Sequence, residues 1–333
     1  MVFSLRLVRV NSLILFFCLL FPSSACLAAV DWVSFTWDND LFVGEDNGYT
    51  NGGFWTWFNT GRRDKEQPAP SWLQAPLMWS MSKEEKPLYR VNAHTAGHMM
   101  VTPEDITRRN PDSKDIPYSG LAYYMNSHMQ VYDDYADLSG VTLGLIGPSS
   151  GAASLQKFVH KRISGADEPQ GWHAQLKNEV VFRLTRNRVW REWASPEGGS
   201  DFLLMGGANL GTLETSVAGY AMFRWGSNLA QSYAFMAYDG SRAINPLALN
   251  GGWHLYLGLS ARYVAHLIFT DGNTFRDSPS INADRSKAGY ITGFSYSWSD
   301  WAATLAIEDM AFNEEQFKGI ERYGTFTLAY RFK

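Results

Sequence analysis

From Val33 onward the chain alternates between apolar and polar side chains. In VSFTWD, Val33, Phe35 and Trp37 take turns with Ser34, Thr36 and Asp38. In HLYLGLSARYVAHLIF, one face carries Leu255, Leu257 and Leu259 and continues through Ala261, Tyr263, Ala265 and Leu267, while His254, Ser260, Arg262 and His266 fall on the other. YITGFSYSWSD sets Ile291, Gly293, Ser295, Ser297 and Ser299 against Tyr290, Thr292, Phe294, Tyr296 and Trp298. TFTLAYRFK sets Phe326, Leu328, Tyr330 and Phe332 against Thr325, Thr327, Ala329 and Arg331. Successive strand side chains point to opposite faces, so a period of two is the mark of a half-buried strand. Twelve such segments are read, near 30–38, 51–59, 88–100, 118–131, 137–145, 177–190, 200–213, 216–226, 252–267, 286–299, 301–311 and 320–332. An even number of segments, each about ten residues long, is what a closed antiparallel transmembrane β-barrel requires.

Two stretches break the pattern. Residues 61–87 are rich in Lys, Glu and Pro and read as a loop. Within 147–172 the middle, Ser154 to Ile163, reads as a short helix, because Leu155, Phe158, Val159 and Arg162 fall at i, i+3, i+4 and i+7. A helix between two barrel strands is a candidate for function.

Composition sharpens this picture. Arg6 and Arg9, the apolar run 12–21 and the small residues of PSSACLA read as a secretory leader over 1–28, leaving 29–333 as a single barrel domain. Both cysteines, Cys18 and Cys26, fall inside the leader, so disulfides and thiolate-bound metals are excluded from the mature chain. Without Arg6 and Arg9, 27 basic residues face 33 acidic ones, a net charge near −6 that argues against a nucleic-acid partner. No later stretch is continuously apolar over the roughly 18 residues that a membrane helix needs. Yet 15% of the chain is aromatic, with 13 Trp and 16 Tyr. A soluble β-sandwich would leave that aromatic excess without a role, whereas a barrel in the outer membrane of a Gram-negative bacterium uses it at both interfaces.

Candidate chemistry gathers in two places. The stretch WDNDLFVGEDNGYTNG (37–52) crowds Asn39, Asp40 and Thr50 into the first hairpin. The helix of 154–163 carries His160 one turn beyond Gln156, with Asp167 and Glu168 following. An imidazole can take a proton from water near neutral pH. Carboxylate, amide and hydroxyl oxygens suit a hard cation such as Ca²⁺, which would stabilise the oxyanion of an ester under attack. The set therefore fits a metal-assisted esterase without a covalent nucleophile. Plainer readings stand beside it: a His on a short amphipathic helix is often structural, Asn-Asp pairs often shape turns, and His94, His98, His128 and His173 are no worse by composition.

Taken together, NDLF (39–42) with GYTNG (48–52), DIPYSGLAY (115–123), LGLIGPSSG (143–151), Gln156 with His160, and DEPQGW (167–172) resemble the outer-membrane lipid A 3′-O-deacylase (LpxR) family. The motifs run in family order to about residue 180. The resemblance implies a twelve-stranded barrel with its site between the wall and a short helix near the outer mouth. It also implies a Ca²⁺-dependent hydrolase, embedded in the membrane, that removes the 3′-linked acyloxyacyl group from lipid A of lipopolysaccharide.

Residue by residue, it implies His160 as general base, Asn39 as the group orienting the substrate carbonyl or a ligand, and Gln156 as support for the helix or the acyl chain. Asp40, Thr50 and Asp167 would hold the metal. Counting from Trp172 selects Asp167; counting from His160 meets one extra residue in KRISGAD, which leaves Glu168 as the alternative carboxylate. Arg108 and Arg109 lie in a loop where Arg forks could meet lipid A phosphates. The expected unit is a monomer. Two other classes remain open on the sequence: a non-enzymatic pore or structural barrel, and a phospholipase with a Ser nucleophile, although no G-x-S-x-G elbow is present.

Overall fold

The structure, a computed structural model, describes residues 30–39, 48–61, 68–81, 86–161, 167–238, 250–309 and 322–332. The leader read over 1–28 lies outside them. Twelve antiparallel strands close into one barrel in sequence order, the last pairing with the first. They are β1 (Trp32–Asn39), β2 (Gly48–Thr60), β3 (Tyr89–Thr102), β4 (Ser119–Val131), β5 (Tyr135–Ile146), β6 (Glu179–Ala194), β7 (Ser200–Leu210), β8 (Glu214–Gly226), β9 (Trp253–Leu267), β10 (Ser286–Trp298), β11 (Trp301–Asp309) and β12 (Arg322–Arg331). No described helix is long and apolar enough to cross a membrane, and the chain crosses with strands instead. Closure pairs every strand edge, which hydrocarbon demands of a sheet.

The alternation places the faces as the pattern predicts on β9. Leu255, Leu257 and Leu259 are exposed on the outside, while His254, Tyr256 and Ser260 are buried in the lumen. Tight turns join strands at one end, as at 132–134, 195–199 and 299–300, so this end faces the periplasm. From that end the helical segment Leu229–Ala237 folds into the lumen, which the sequence reading did not foresee. Arg224 holds it: fully buried, it donates to both Asp201 oxygens at 2.9 and 2.6 Å, to Ser232 at 3.0 Å and to the Leu229 carbonyl at 2.8 Å. At the opposite end Ile268 and Phe269 turn inward onto Val101, Leu121 and Val181. Between the two fillings lies a cavity of about 220 Å³ lined by Thr36, Tyr123, Arg183, Glu214 and Arg262.

On β3 to β6 the outside is not bare. Lumen-facing Leu138, Ser127 and Asn187 fix the parity, since they pack with the inner core or bond to Tyr238 and the Ala237 carbonyl. The intervening residues therefore point outward, and many are polar: Asn92, His94, Asn126, His128, Asp137, Ser139, Arg186 and Arg188. Two coverings shield them. Residues 68–81, read as plain loop, form two short helical turns, Trp72–Gln74 and Met78–Ser80, that strap the outer wall at the periplasmic end. Near the outer mouth lies a helix, α1 (Ala152–Val159).

A candidate active site on the outer wall

The chain reaches α1 through GPSSG, where Gly147 (φ 98°) and Gly151 (φ 81°) bracket a turn in the left-handed region that glycine adopts without strain. The helix then lies against the outside of β3 and β4. Its approach depends on Gly120, where an added Cβ would stand 2.3 Å from both Ala152 Cβ and Ser150 Oγ. His98, facing outward from β3, donates through Nε2 to the Ser150 carbonyl at 3.2 Å. A small core outside the barrel, made of Met100, Tyr118, Ala152 and Trp172, completes the attachment. Burial raises the Tyr118 hydroxyl to a pKa of about 12, so it stays protonated and donates to the Ile106 carbonyl at 3.1 Å.

The helix begins two residues earlier than the periodicity suggested, and its stripe is turned around. Leu155 and Phe158 are 43% and 58% exposed, while the buried positions are Ala152 and Gln156. The reason is the surroundings: outside a barrel, the solvent-facing side of a helix meets lipid, and apolar side chains belong there.

Gln156 and His160 share one face, four residues apart. Gln156 is 2% exposed, and its Oε1 accepts from Trp172 Nε1 at 2.7 Å. Its Nε2 is buried without a partner among the described residues. His160 caps the C-terminus of α1, and its Nδ1 lies 2.6 Å from the Asp167 carbonyl oxygen. The Asp167 carboxylate itself is exposed. Glu168 is committed elsewhere, 2.5 Å from Lys157, whose hydrogen bond and charge hold the Glu168 carboxyl below the usual carboxylate range.

Asn39 ends β1, 6% exposed, on the outward parity shared with Phe35 and Trp37. Only β2 separates β1 from β3, so Asn39 and the strand under α1 are about 10 Å apart, two interstrand spacings. His160 and Asn39 thus belong to one side of the cylinder. Asp40 lies outside the described residues, as does the Thr50 side chain.

Arg108 pairs with Asp112 at 3.6 Å, both half exposed, and Arg109 is exposed beside it. Their loop is stitched to the 167–172 segment where Gln170 N–H donates to the Ile106 carbonyl at 2.9 Å. In the sequence Trp172 served only as the landmark from which Asp167 was counted. It packs on Tyr118 at 4.9 Å between centroids, and its N–H also orients Gln156. The signal was in DEPQGW, a motif following the helix closely enough to fold back on it.

A closed, even-stranded antiparallel cylinder with an apolar outer belt is an outer-membrane β-barrel. Comparison with known proteins takes this one step further. The chain belongs to the family described as outer membrane protein LpxR, whose model matches residues 13–332. Among solved structures, the fold is similar to that of LpxR from Salmonella typhimurium, with a TM-score of 0.67 and 15% identity over 90% of this chain and 100% of that one. A KdgM porin (TM-score 0.37, 6% identity, 91% of this chain and 99% of that one) is too loosely similar to carry an argument. The same holds for the translocator domain of the autotransporter NalP from Neisseria meningitidis (TM-score 0.38, 10% identity, 91% and 87%). No protein of curated function matches the sequence.

Proposed function

We propose that this outer-membrane barrel is an ester hydrolase that removes the 3′-linked acyloxyacyl group of lipid A, using water activated by His160. One observation carries the reading: the 2.6 Å contact from His160 Nδ1 to a backbone carbonyl. A carbonyl only accepts, so Nδ1 holds the proton and Nε2 presents its lone pair. Nε2 takes a proton from water as the water oxygen attacks the ester carbonyl carbon. The carbonyl becomes an oxyanion, and on collapse the departing alkoxide recovers the proton from His160, releasing the fatty acid and the sugar hydroxyl.

The buried Nε2 of Gln156 is the protein's donor toward that oxygen. Leaving such a group unpaired costs about 1–3 kcal/mol, which an incoming acceptor would relieve. Asn39 orients the carbonyl from the wall. Leu155 and Phe158 face the outer-leaflet acyl chains, and Arg108 and Arg109 meet the phosphates. The unit acts as a monomer.

Calcium is the proposed cofactor, on donor chemistry. Asp40, Thr50 and Asp167 offer only oxygen, which fits a hard cation. Among the described residues no three acids or imidazoles converge, so any site there depends on Asp40 and on the lipid's own oxygens. When bound, such an ion would supply positive charge against the oxyanion.

A plain pore is disfavoured by the lumen, filled by Leu229–Ala237 from one end and by Ile268 and Phe269 from the other. Mass spectrometry of lipid A from cells expressing the chain tests the proposal. Loss of the 3′ acyloxyacyl group, abolished by EGTA and by His160→Ala, is the expected result. Unchanged lipid A beside a correctly inserted barrel would sink it, and inactivation by a Ser-directed reagent would replace it with a phospholipase-type mechanism.

A further inference from the structure

The two most exposed large apolar side chains among the described residues are Trp72 and Trp79, at 83% and 77%. Both sit on the strap of residues 68–81, one on each helical turn. The strap is not loosely draped. Gln74 is fully buried beneath it, donating to the Asn126 carbonyl at 2.7 Å and Oδ1 at 2.9 Å while accepting from Ser139 at 2.9 Å. Arg186 donates to Ser80 Oγ and to its carbonyl, both at 3.2 Å, and Asn92 reaches the Ala69 carbonyl at 2.6 Å. The strap therefore crosses from β3 to β6 on the outside of the barrel.

Elsewhere the periplasmic rim is aromatic. Trp190, Trp225, Trp298 and Trp301 are exposed at the turn ends of β6, β8, β10 and β11. Such a ring sits at the boundary between headgroups and acyl chains. Over β3 to β5 the ring fails, because the wall there carries Asn92, His128 and Asp137 on its outer face. Bare, these groups would face hydrocarbon at several kcal/mol each. The strap fills that gap and presents tryptophans in the same outward sense.

We propose that residues 71–80 form a membrane-facing strap whose Trp72 and Trp79 embed in the headgroup boundary of the periplasmic phospholipid leaflet, completing the aromatic ring where the strands do not supply it. The polar residues of β3 to β6 are its fastening, and phospholipid is its partner. The inference is independent of the proposed hydrolase chemistry.

The test uses the mature full-length protein, which carries no cysteine after 1–28. Trp72→Cys and Trp79→Cys are each labelled with a nitroxide and reconstituted in vesicles of phosphatidylethanolamine and phosphatidylglycerol. Leu257→Cys on the bare wall and Glu197→Cys in a tight turn serve as lipid and water references. Labels at 72 and 79 should collide more with oxygen than with a water-soluble nickel chelate, between the two references. Nickel accessibility equal to that at Glu197 overturns the proposal. So does dipolar broadening between labels, which would mean that a second copy covers the strap. Should a labelled variant fail to insert, quenching by brominated phospholipids decides: the parent protein should lose more fluorescence than Trp72→Phe/Trp79→Phe, and equal losses overturn the idea.

Discussion

The barrel has two unlike walls. Around β8 to β11 the outer face is bare among the described residues: Val217, Phe223, Leu255, Leu257, Leu259 and Leu305 stand exposed. From β3 to the middle of β6 the outer face carries a polar patch that is covered, by α1 and its loop near the mouth and by the strap at the other end, while Val180, Phe182 and Trp190 of β6 stay exposed. A lipid-facing strand needs no help from the rest of the chain. A strand whose outer face carries Asp137 needs a cover, and a cover is what creates a cleft. The candidate site lies at one of these two covers, between α1 and the wall, where polar groups on the outer face are shielded from hydrocarbon.

The largest effects should come from exchanging the characters of the two walls. Asp137 is fully buried and takes Arg186 at 2.5 Å and Arg188 at 2.6 and 2.7 Å. Asp137→Ala leaves two guanidinium groups unpaired beneath the strap. Breaking a buried pair costs about 3–5 kcal/mol, and the lower end applies because Arg188 is one-third exposed. On the bare wall, Leu257→Arg should cost about 2–4 kcal/mol, the range for a cation on the lipid face near the midplane. Urea unfolding of the barrel in vesicles, read by heat-modifiable gel migration, measures both. A neutral Asp137→Ala would mean that the polar wall is not fastened as described.

The same contrast explains what was legible in the sequence. On β9, β10 and β12 the apolar face meets lipid and the polar face meets the lumen, so strands of the right number and near-correct bounds could be read from alternation alone. On β3 the alternation is equally clear, but the sense is inverted: Val91, Ala93 and Met99 face inward while Asn92, His94 and His98 face outward. Periodicity reports that two faces differ, not which one is covered. Neither the strap nor the lumen filling at 229–237 was foreseen, since turns of three to five residues are too short to show a period. Of the candidate site, the Gln156–His160 pair was readable from helical spacing. The partner that orients His160 was not, because it is the main-chain carbonyl of Asp167, and backbone contacts leave no mark on residue type.

Within the covered wall, a finer split separates holding the helix from aiming its side chains. Trp172→Phe keeps a ring against Tyr118 but removes the 2.7 Å hydrogen bond to Gln156 Oε1. A neutral hydrogen bond of this kind is worth about 1 kcal/mol, or roughly a fivefold effect. If Trp172 aims Gln156 at the developing oxyanion, kcat should fall by about that factor with KM and unfolding midpoint nearly unchanged. A loss confined to stability would reduce Trp172 to packing.

The smallest effect belongs to the ion pair of Lys157 with Glu168, whose side chains are 61% and 46% exposed. Exposed pairs contribute little, so Glu168→Gln should lower activity only slightly at neutral pH. The sign of its pH dependence follows from the depressed carboxyl: Lys157 favours the ionised form, so the link is intact above the ordinary carboxylate range and is lost as pH falls through the lowered value. Activity profiles of parent and variant should therefore differ slightly at neutral pH and converge in acid. The measurement also arbitrates between the two neighbouring carboxylates. Asp167→Asn should weaken calcium dependence while Glu168→Gln leaves it intact. A Glu168→Gln variant as inactive as His160→Ala, and insensitive to added calcium, would reverse that assignment and place the metal on the carboxylate that here pairs with Lys157.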